Sequence, residues 1–448
     1  MKPAFNKFVW AFLAAAALAT TTWAGDFLIR DGDRVVFLGD SITEQRLYTT
    51  YIEAYTLTRY PAWKLTFRNV GWGGDTAWLR QRAHPDEKQL FAAGESAQQT
   101  MVEDAVGRGL NRDVLPLKPT VVTIKFGMND HAYQPFRQDI FGAYTRSQAQ
   151  LAKVLGATGA RVAFLTSQPI EDKRADPDQD VRNQSLRRFS DGLKDVAAKG
   201  GAAFVDQFDP YMSILVRERA ANPAWYVGGG DAVHPGPIGH TVMAWAVLKG
   251  LGAPSLVSRG EIDGEASKVI ATEGCRIDNL KAANGAVSFD RLDDALPMPI
   301  DERAMPTEGK TKGALELAPI LNDLSRYELR ITGLSGAAYE VTIDGEVAAK
   351  VSGEALAKGW NLAATAGPIT KQARQVLALV FQKNNLYFNR WRDVQLFTFP
   401  GWARGEEVEN KRATELARLD RQIAESEAQI DTARKPKSRH FEVKPAAQ

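Results

Sequence analysis

The stretch Arg34-Val35-Val36-Phe37-Leu38-Gly39-Asp40-Ser41-Ile42-Thr43 decides how the rest of the chain is read. Its apolar half is short and unbroken, as in a strand buried on both faces. It ends on a glycine, an aspartate and a serine, and a helical pattern follows over about Tyr48–Arg59. A serine at a strand-to-helix junction sits at the carboxyl edge of a parallel sheet, where open α/β folds gather their chemistry. Its N–H, at the start of a helix, has no partner within that helix and is free to face an anion.

Working outward, the same texture repeats. Strands are predicted at Val35–Leu38, Leu65–Val70, Val121–Phe126, Val162–Thr166 and Ala203–Val205. Helices are predicted near Tyr48–Arg59, Glu87–Ala105, Ile140–Leu155, Arg182–Ala198 and Pro237–Leu251. Alternating strands and helices imply βαβ crossovers and a five-stranded parallel sheet with helices on both faces, a three-layer α/β/α flavodoxin-like sandwich. This region is expected to span residues 25–253.

Beyond it the texture changes. Residues 254–325 are rich in Gly, Asp, Glu and Pro and carry only short apolar runs. Tyr327–Ile331 and Tyr339–Ile343 alternate at period two, and the second leads into the turn pair Asp344-Gly345, so a small β-hairpin unit is expected there. Ala373, Val376, Leu377, Val380 and Phe381 mark a helix that runs toward Tyr387, Phe388 and Trp391. Residues 254–405 are therefore expected to form an accessory α+β region. Residues 406–434 are a charged helix with a stripe of Leu416, Leu419, Ile423 and Ile430. Packing on the protein's own surface fits that stripe better than a dimeric coiled coil, since Ser426 interrupts it. The tail 435–448 is expected to be disordered.

Composition bounds the function. Of 448 residues, 44% are hydrophobic and 25% charged, with a net charge of +2. No basic stripe interleaved with aromatics is present, so no nucleic-acid partner is expected. Lys2 and Lys7, the apolar run Phe8–Ala19, and Thr22 and Ala24 in the −3 and −1 places read as a signal peptide of residues 1–24. That run is shorter than the ~20 residues of a membrane span. A secreted or periplasmic protein without stable membrane insertion is expected. Its one cysteine, Cys275, forms no internal disulfide. No His or Cys pair has ligand spacing, so no metal and no cofactor are expected.

Four short segments at predicted element ends carry chemistry. They are Gly39-Asp40-Ser41, Asn69 to Thr76, Phe126-Gly127-Met128-Asn129-Asp130, and Asp231-Ala232-Val233-His234-Pro235. Serine needs an adjacent base to act as a nucleophile. Among five histidines, His234 is the best base, since it lies three positions after Asp231 and that carboxylate can reach the imidazole from the same loop. The catalytic candidates are thus Ser41, Asp231 and His234. Candidate oxyanion donors are the N–H groups of Ser41 and Gly74 and the amide of Asn129. Asp40 and Asp130 read as structural. Trp72, Trp78, His131, Tyr133 and Arg46 are substrate-binding candidates because they neighbour these blocks, with core packing as the plainer reading for the rings. Gln45, Arg80 and Arg82 either contact a polar substrate or are solvated. His84, His240 and His440 have no telling partner.

In these four blocks the chain resembles the SGNH (GDSL) hydrolase superfamily, over about Asp26–Leu251. The resemblance implies a flavodoxin-like serine esterase, and Ile42, where many members carry leucine, departs from its pattern at a position without chemistry. The expected activity is removal of O-acetyl or other short acyl groups, from a small-molecule or polysaccharide ester. The alternatives are a lysophospholipase or thioesterase, an O-acyltransferase of the same fold, or a catalytically inactive binding protein.

Overall fold

The computed structural model describes residues 26–223, 227–228, 230–306 and 312–446. The leader-like segment 1–24 lies outside the described residues. Five strands, β1 (Arg34–Gly39), β2 (Thr66–Asn69), β3 (Val121–Lys125), β4 (Arg161–Leu165) and β5 (Ala203–Val205), form an all-parallel sheet in the order β2-β1-β3-β4-β5. The chain reverses its direction of strand addition between β1 and β3, which opens a crevice at their carboxyl ends.

Local chemistry explains the covering helices. The Asp180 side chain caps Val181–Gly200 by accepting the Arg182 N–H, and Gly201 ends that helix in a left-handed conformation. Pro237 occupies the first position of Pro237–Gly250, whose residues from Ile238 to Leu248 are all buried. The helix expected over Glu87–Ala105 is two helices, Glu87–Ala92 and Glu95–Asp113, broken at Gly94. A helix at Phe208–Ala221 has no counterpart in the sequence reading.

The C-terminal half is richer in strands than its sequence suggested. β6 (Leu256–Asp263), β7 (Lys268–Glu273), β8 (Cys275–Ala283) and β9 (Ala286–Asp293) lie in the stretch that carries only short apolar runs. They join β10 (Arg326–Thr332), β11 (Ala338–Ile343), β12 (Glu346–Ser352), β13 (Trp360–Asn361) and β14 (Arg439–Pro445) in two sheets. One has the order β13-β10-β6-β7, the other β12-β11-β14-β9-β8. Period-two burial in β9, β10 and β11 shows one face of each strand turned to the core.

The tail expected to be disordered supplies β14, paired antiparallel with both β9 and β11. Phe441 and Val443 are fully buried, and Phe441 stacks on Phe289 with ring centroids 5.1 Å apart. Burying these side chains and pairing both backbone edges outweighs the chain entropy that the flanking lysines and prolines seemed to favour.

Two long helices, Pro368–Phe388 and Glu406–Ala433, are inserted between β13 and β14, with a π-helical turn at Asn389–Gln395. The helices pack on one another, and Pro368–Phe388 also packs on the helix Leu47–Arg59. Leu419, Ile423, Ser426 and Ile430 are buried there, so the apolar stripe is used within the chain. At the contact with Leu47–Arg59, buried Lys383 meets Glu53 at 2.5 Å, and Asn384 donates to Glu53 and Thr50. The insert thus joins the β-sandwich to the α/β layer. No described helix is long and apolar enough to cross a membrane.

Candidate active site

The four blocks lie at the carboxyl edge of the parallel sheet, joined by main-chain and side-chain hydrogen bonds. Ser41 opens the one-turn helix Ser41–Glu44, capped by Asp40, whose carboxylate accepts the Ile42 N–H at 3.0 Å. The Trp72 N–H donates to Gly39 O at 2.9 Å, which ties the second block to the first. Asp130 ties the third to the second: its carboxylate accepts the N–H of Ala77 and of Gly127, each at 2.8 Å. Burial pushes Asp130 up to about 7 despite those donors.

Ser41 Oγ lies 2.9 Å from His234 Nε2, and His234 Nδ1 lies 3.0 Å from Asp231 Oδ2. The carboxylate fixes the proton on Nδ1 and leaves Nε2 to accept from the serine hydroxyl. Asp231 Oδ1 also accepts the N–H groups of Val233 (2.7 Å) and His234 (2.6 Å). Partial desolvation raises the pKa of Asp231. The His234 and Val233 N–H groups, then the imidazole, outweigh it, and the carboxyl lies below its ordinary value.

The loop carrying this pair is held from behind. Glu171 N–H donates to Ala232 O at 2.8 Å and Gln168 Nε2 to Val233 O at 2.9 Å. The buried Glu171 carboxylate accepts from Tyr211 OH (2.5 Å), Val227 N–H (2.7 Å) and Gly228 N–H (3.1 Å). A Cβ at Gly230 would stand 1.9 Å from His234 O, so any side chain there would displace the histidine.

Donors for a developing negative charge are available nearby. Gly73 is close enough that a Cβ on it would lie 4.0 Å from Ser41 Cβ. Its N–H donates to Glu44 Oε2 at 2.7 Å, whereas no bond from the Gly74 N–H is found within the described residues. Gly74 has φ of 75°, a left-handed value that a side chain would strain. Its carbonyl accepts from Arg80 Nε at 3.0 Å. Asn129 Nδ2 donates one proton to Asp75 O at 3.0 Å, and its Oδ1 accepts from Tyr133 OH at 3.1 Å. The second amide proton of Asn129 remains for a ligand.

Several sequence candidates sit elsewhere. Trp78 is 1% exposed, bonds Glu87 at 2.8 Å and packs edge-on to Phe91, so it belongs to the core. His131 is buried against Phe189, with Nδ1–H donating to Gly127 O at 3.1 Å. Trp72 is wedged between Trp391 and the guanidinium of Arg392, 3.4 Å from its ring centroid, rather than open to a sugar. Arg46 is turned onto Phe388, 4.1 Å from the centroid, and bonds Asn385. Arg82 is buried between Asp75 and Asp113. Of the candidate rings named above, Tyr133 is the exposed one. For Trp78 and His131 the structure therefore has the plainer expectation, core packing.

Sequence reasoning also missed Lys125, fully buried, its Nζ 4.0 Å from Asp40 Oδ1. Its pKa is lowered by burial, against the pull of Asp40 and Asp130. A lysine in an apolar run, Val121-Val122-Thr123-Ile124-Lys125, was the available signal. His240 was likewise set aside. Its Nδ1 accepts the Tyr48 N–H (3.2 Å) and its Nε2–H donates to Gln45 (2.8 Å), linking the last helix of the α/β layer to the helix after the nucleophile. Among the described residues no cluster of three or more His, Cys, Asp or Glu is arranged to hold a metal ion.

This edge is that of a serine hydrolase with a parallel α/β sheet. Residues 37–242 match the GDSL-like lipase/acylhydrolase family. An acetylxylan esterase from Geobacillus stearothermophilus is 26% identical over 239 residues, 52% of this chain and 99% of the relative. A solved structure of a gut microbial diltiazem-metabolizing enzyme is 25% identical, with a TM-score of 0.75 over 93% of this chain and 98% of that one. The solved acetylxylan esterase of G. stearothermophilus covers 50% of this chain and 96% of its own, at 22% identity and a TM-score of 0.37. The α/β part of the chain belongs to the SGNH (GDSL) hydrolase superfamily, and the protein is a carboxylic ester hydrolase.

Proposed function

We propose that this enzyme removes O-acetyl or other short acyl groups from carbohydrate through an acyl-enzyme on Ser41. The observation that carries the reading is the continuous hydrogen-bonded line from Ser41 Oγ through His234 to Asp231. Ser41 Oγ attacks the ester carbonyl as His234 Nε2 takes its proton. Asp231 stabilises the imidazolium. The N–H groups of Ser41 and Gly74 and the amide of Asn129 receive the negative charge that develops on the acyl oxygen. The C–O bond to the alcohol breaks as His234 returns the proton to the leaving oxygen. Water, deprotonated by His234, then attacks the acyl-serine and releases the acid and the free hydroxyl of Ser41.

The similarity to an acetylxylan esterase supports the choice of a short acyl group on a sugar. Residues 1–24, read as an export signal, support action outside the cytoplasm. Tyr133, exposed beside Asn129, offers a ring face to the alcohol part of the substrate.

The test compares p-nitrophenyl acetate with p-nitrophenyl palmitate, then acetylated xylan and other acetylated polysaccharides with small acetate esters. The likeness to a diltiazem-metabolizing enzyme adds drug-like molecules to that panel. Release of acetate from the polymers, lost in Ser41→Ala, is expected. Preference for the palmitate overturns the short-acyl reading, and acetyl transfer to added sugar faster than hydrolysis turns it into a transferase.

A further inference from the structure

Resting on that reading, we propose that Arg392, delivered by the C-terminal insert, is a positioning residue for the oxyanion-binding loop. The insert could have packed anywhere on the α/β layer. Its π-helical turn instead lies against the two blocks that frame the nucleophile. Three contacts define the arrangement. Arg392 Nε stands 3.8 Å from Glu44 Oε1. Its guanidinium lies over the Trp72 ring, 3.4 Å from the centroid. Trp391, its neighbour, is buried edge-on to the same indole at 5.9 Å.

Both partners of Arg392 lead directly to the site. Glu44 is the last residue of the helix that Ser41 opens, and its other oxygen accepts the Gly73 N–H at 2.7 Å. That bond restrains the Trp72–Gly73 peptide, while Arg80 holds the Gly74 carbonyl, in the Gly74–Asp75 peptide, on the far side. The Gly74 N–H, between these two restraints, is left to face the acyl oxygen. Trp72 precedes Gly73, and its own N–H is fixed to Gly39. The positive charge of Arg392, 3.8 Å from one oxygen of Glu44, favours the carboxylate orientation that keeps the other oxygen on Gly73. Without it the carboxylate would be free to turn to solvent, and the loop would lose one of its two clamps.

Arg392 differs in origin from the other cations near Trp72. Arg82 and Arg112, 5.3 and 5.0 Å from the ring centroid, come from the α/β layer itself. Arg392 comes from more than 300 residues downstream of Glu44. The C-terminal region is thereby part of the catalytic apparatus, beyond covering surface.

The experiment uses the full chain and p-nitrophenyl acetate, with Arg392→Gln, Arg392→Lys, Glu44→Gln and the Arg392/Glu44 double variant. Thermal midpoints are recorded for each. A loop misplaced by a fraction of an ångström is expected to lower kcat about tenfold to a hundredfold in Arg392→Gln, with KM little changed. Arg392→Lys is expected to recover part of the rate, and the double variant to be no slower than the slower single one, as for two groups acting in one line. Wild-type kcat in Arg392→Gln overturns the proposal, as does a loss of rate that follows the thermal midpoint and is additive with Glu44→Gln. If Arg392→Gln does not fold, Glu44→Gln and Arg392→Lys carry the same comparison. Ser41→Ala separates the two levels: full activity in that variant defeats the proposed mechanism itself, whatever Arg392 does.

Discussion

Asp231 holds His234 twice, with one carboxylate oxygen on its ring and the other on its main-chain N–H. The carboxylate is both tautomer-setter and loop staple. In Asp231→Asn the amide can present an N–H to the ring and favour the wrong tautomer. A fall in kcat of about 10²–10⁴ with little change in KM is expected, read from steady-state hydrolysis of p-nitrophenyl acetate.

Asn129 sits between Asp75 O and the Tyr133 hydroxyl, with one amide proton unspent. Asn129→Ala is expected to lower kcat about 10²–10³-fold. Tyr133→Phe removes only the group that orients the amide, and a smaller loss is expected. Parallel kcat measurements on the two variants check this ordering, and an equal or larger loss in Tyr133→Phe contradicts it.

Lys125 is a fully buried cation at the end of β3, with Asp40 beside it. Lys125→Met leaves the carboxylates of Asp40 and Asp130 buried without it. A loss of about 3–5 kcal/mol of stability is expected, measured by urea unfolding.

Two buried imidazoles make the fold sensitive to acid. Burial lowers His131 to about 4, with Arg182 lowering it further and Asp180 opposing. Burial lowers His240 to about 3, helped by Lys125 and His234. Both bind a proton more readily unfolded than folded, so stability rises with pH across this window. It is full above the ordinary histidine value of 6.5 and is lost as pH falls toward 4, by about 1.4 kcal/mol per unit for each group. Unfolding curves at pH 7 and pH 5 check the slope, and His240→Gln is expected to make it shallower.

Phe441 belongs to a segment whose sequence looked dispensable, yet it is fully buried against Phe289. Phe441→Ala is expected to cost about 3–5 kcal/mol. A midpoint in urea equal to that of the parent protein would contradict the structure of this sheet.

The parallel sheet was legible because its strands are continuous apolar runs, and Val35–Leu38, Val121–Phe126 and Ala203–Val205 needed little correction. The β-sandwich was legible only at Tyr327–Ile331 and Tyr339–Ile343, whose alternation is clear. Elsewhere charged residues occupy the inward face itself, as Arg291 and Asp293 of β9 do beside Val287 and Phe289, and such a strand reads like loop composition. β14 carried an alternating signal in Phe441 and Val443, but lysines and a proline around it spoke more loudly. At the site, the meeting of Ser41, Asp231 and His234 was legible because a serine at a strand end and an Asp–His pair in one loop both fall at the same sheet edge. Lys125, Glu44 and Arg392 were not, because each matters only through a partner brought close by the fold.

β14 stands between β9 and β11, although about 145 residues separate it from β9 in the sequence. During synthesis the parallel sheet and the first sandwich strands leave the ribosome long before their central neighbour. Until residue 439 has emerged, β9 and β11 each present a bare backbone edge, open to pairing with another nascent chain. A chaperone, or rapid delivery of the remaining residues, would have most effect in that interval, and a stall just upstream of β14 would leave an aggregation-prone intermediate.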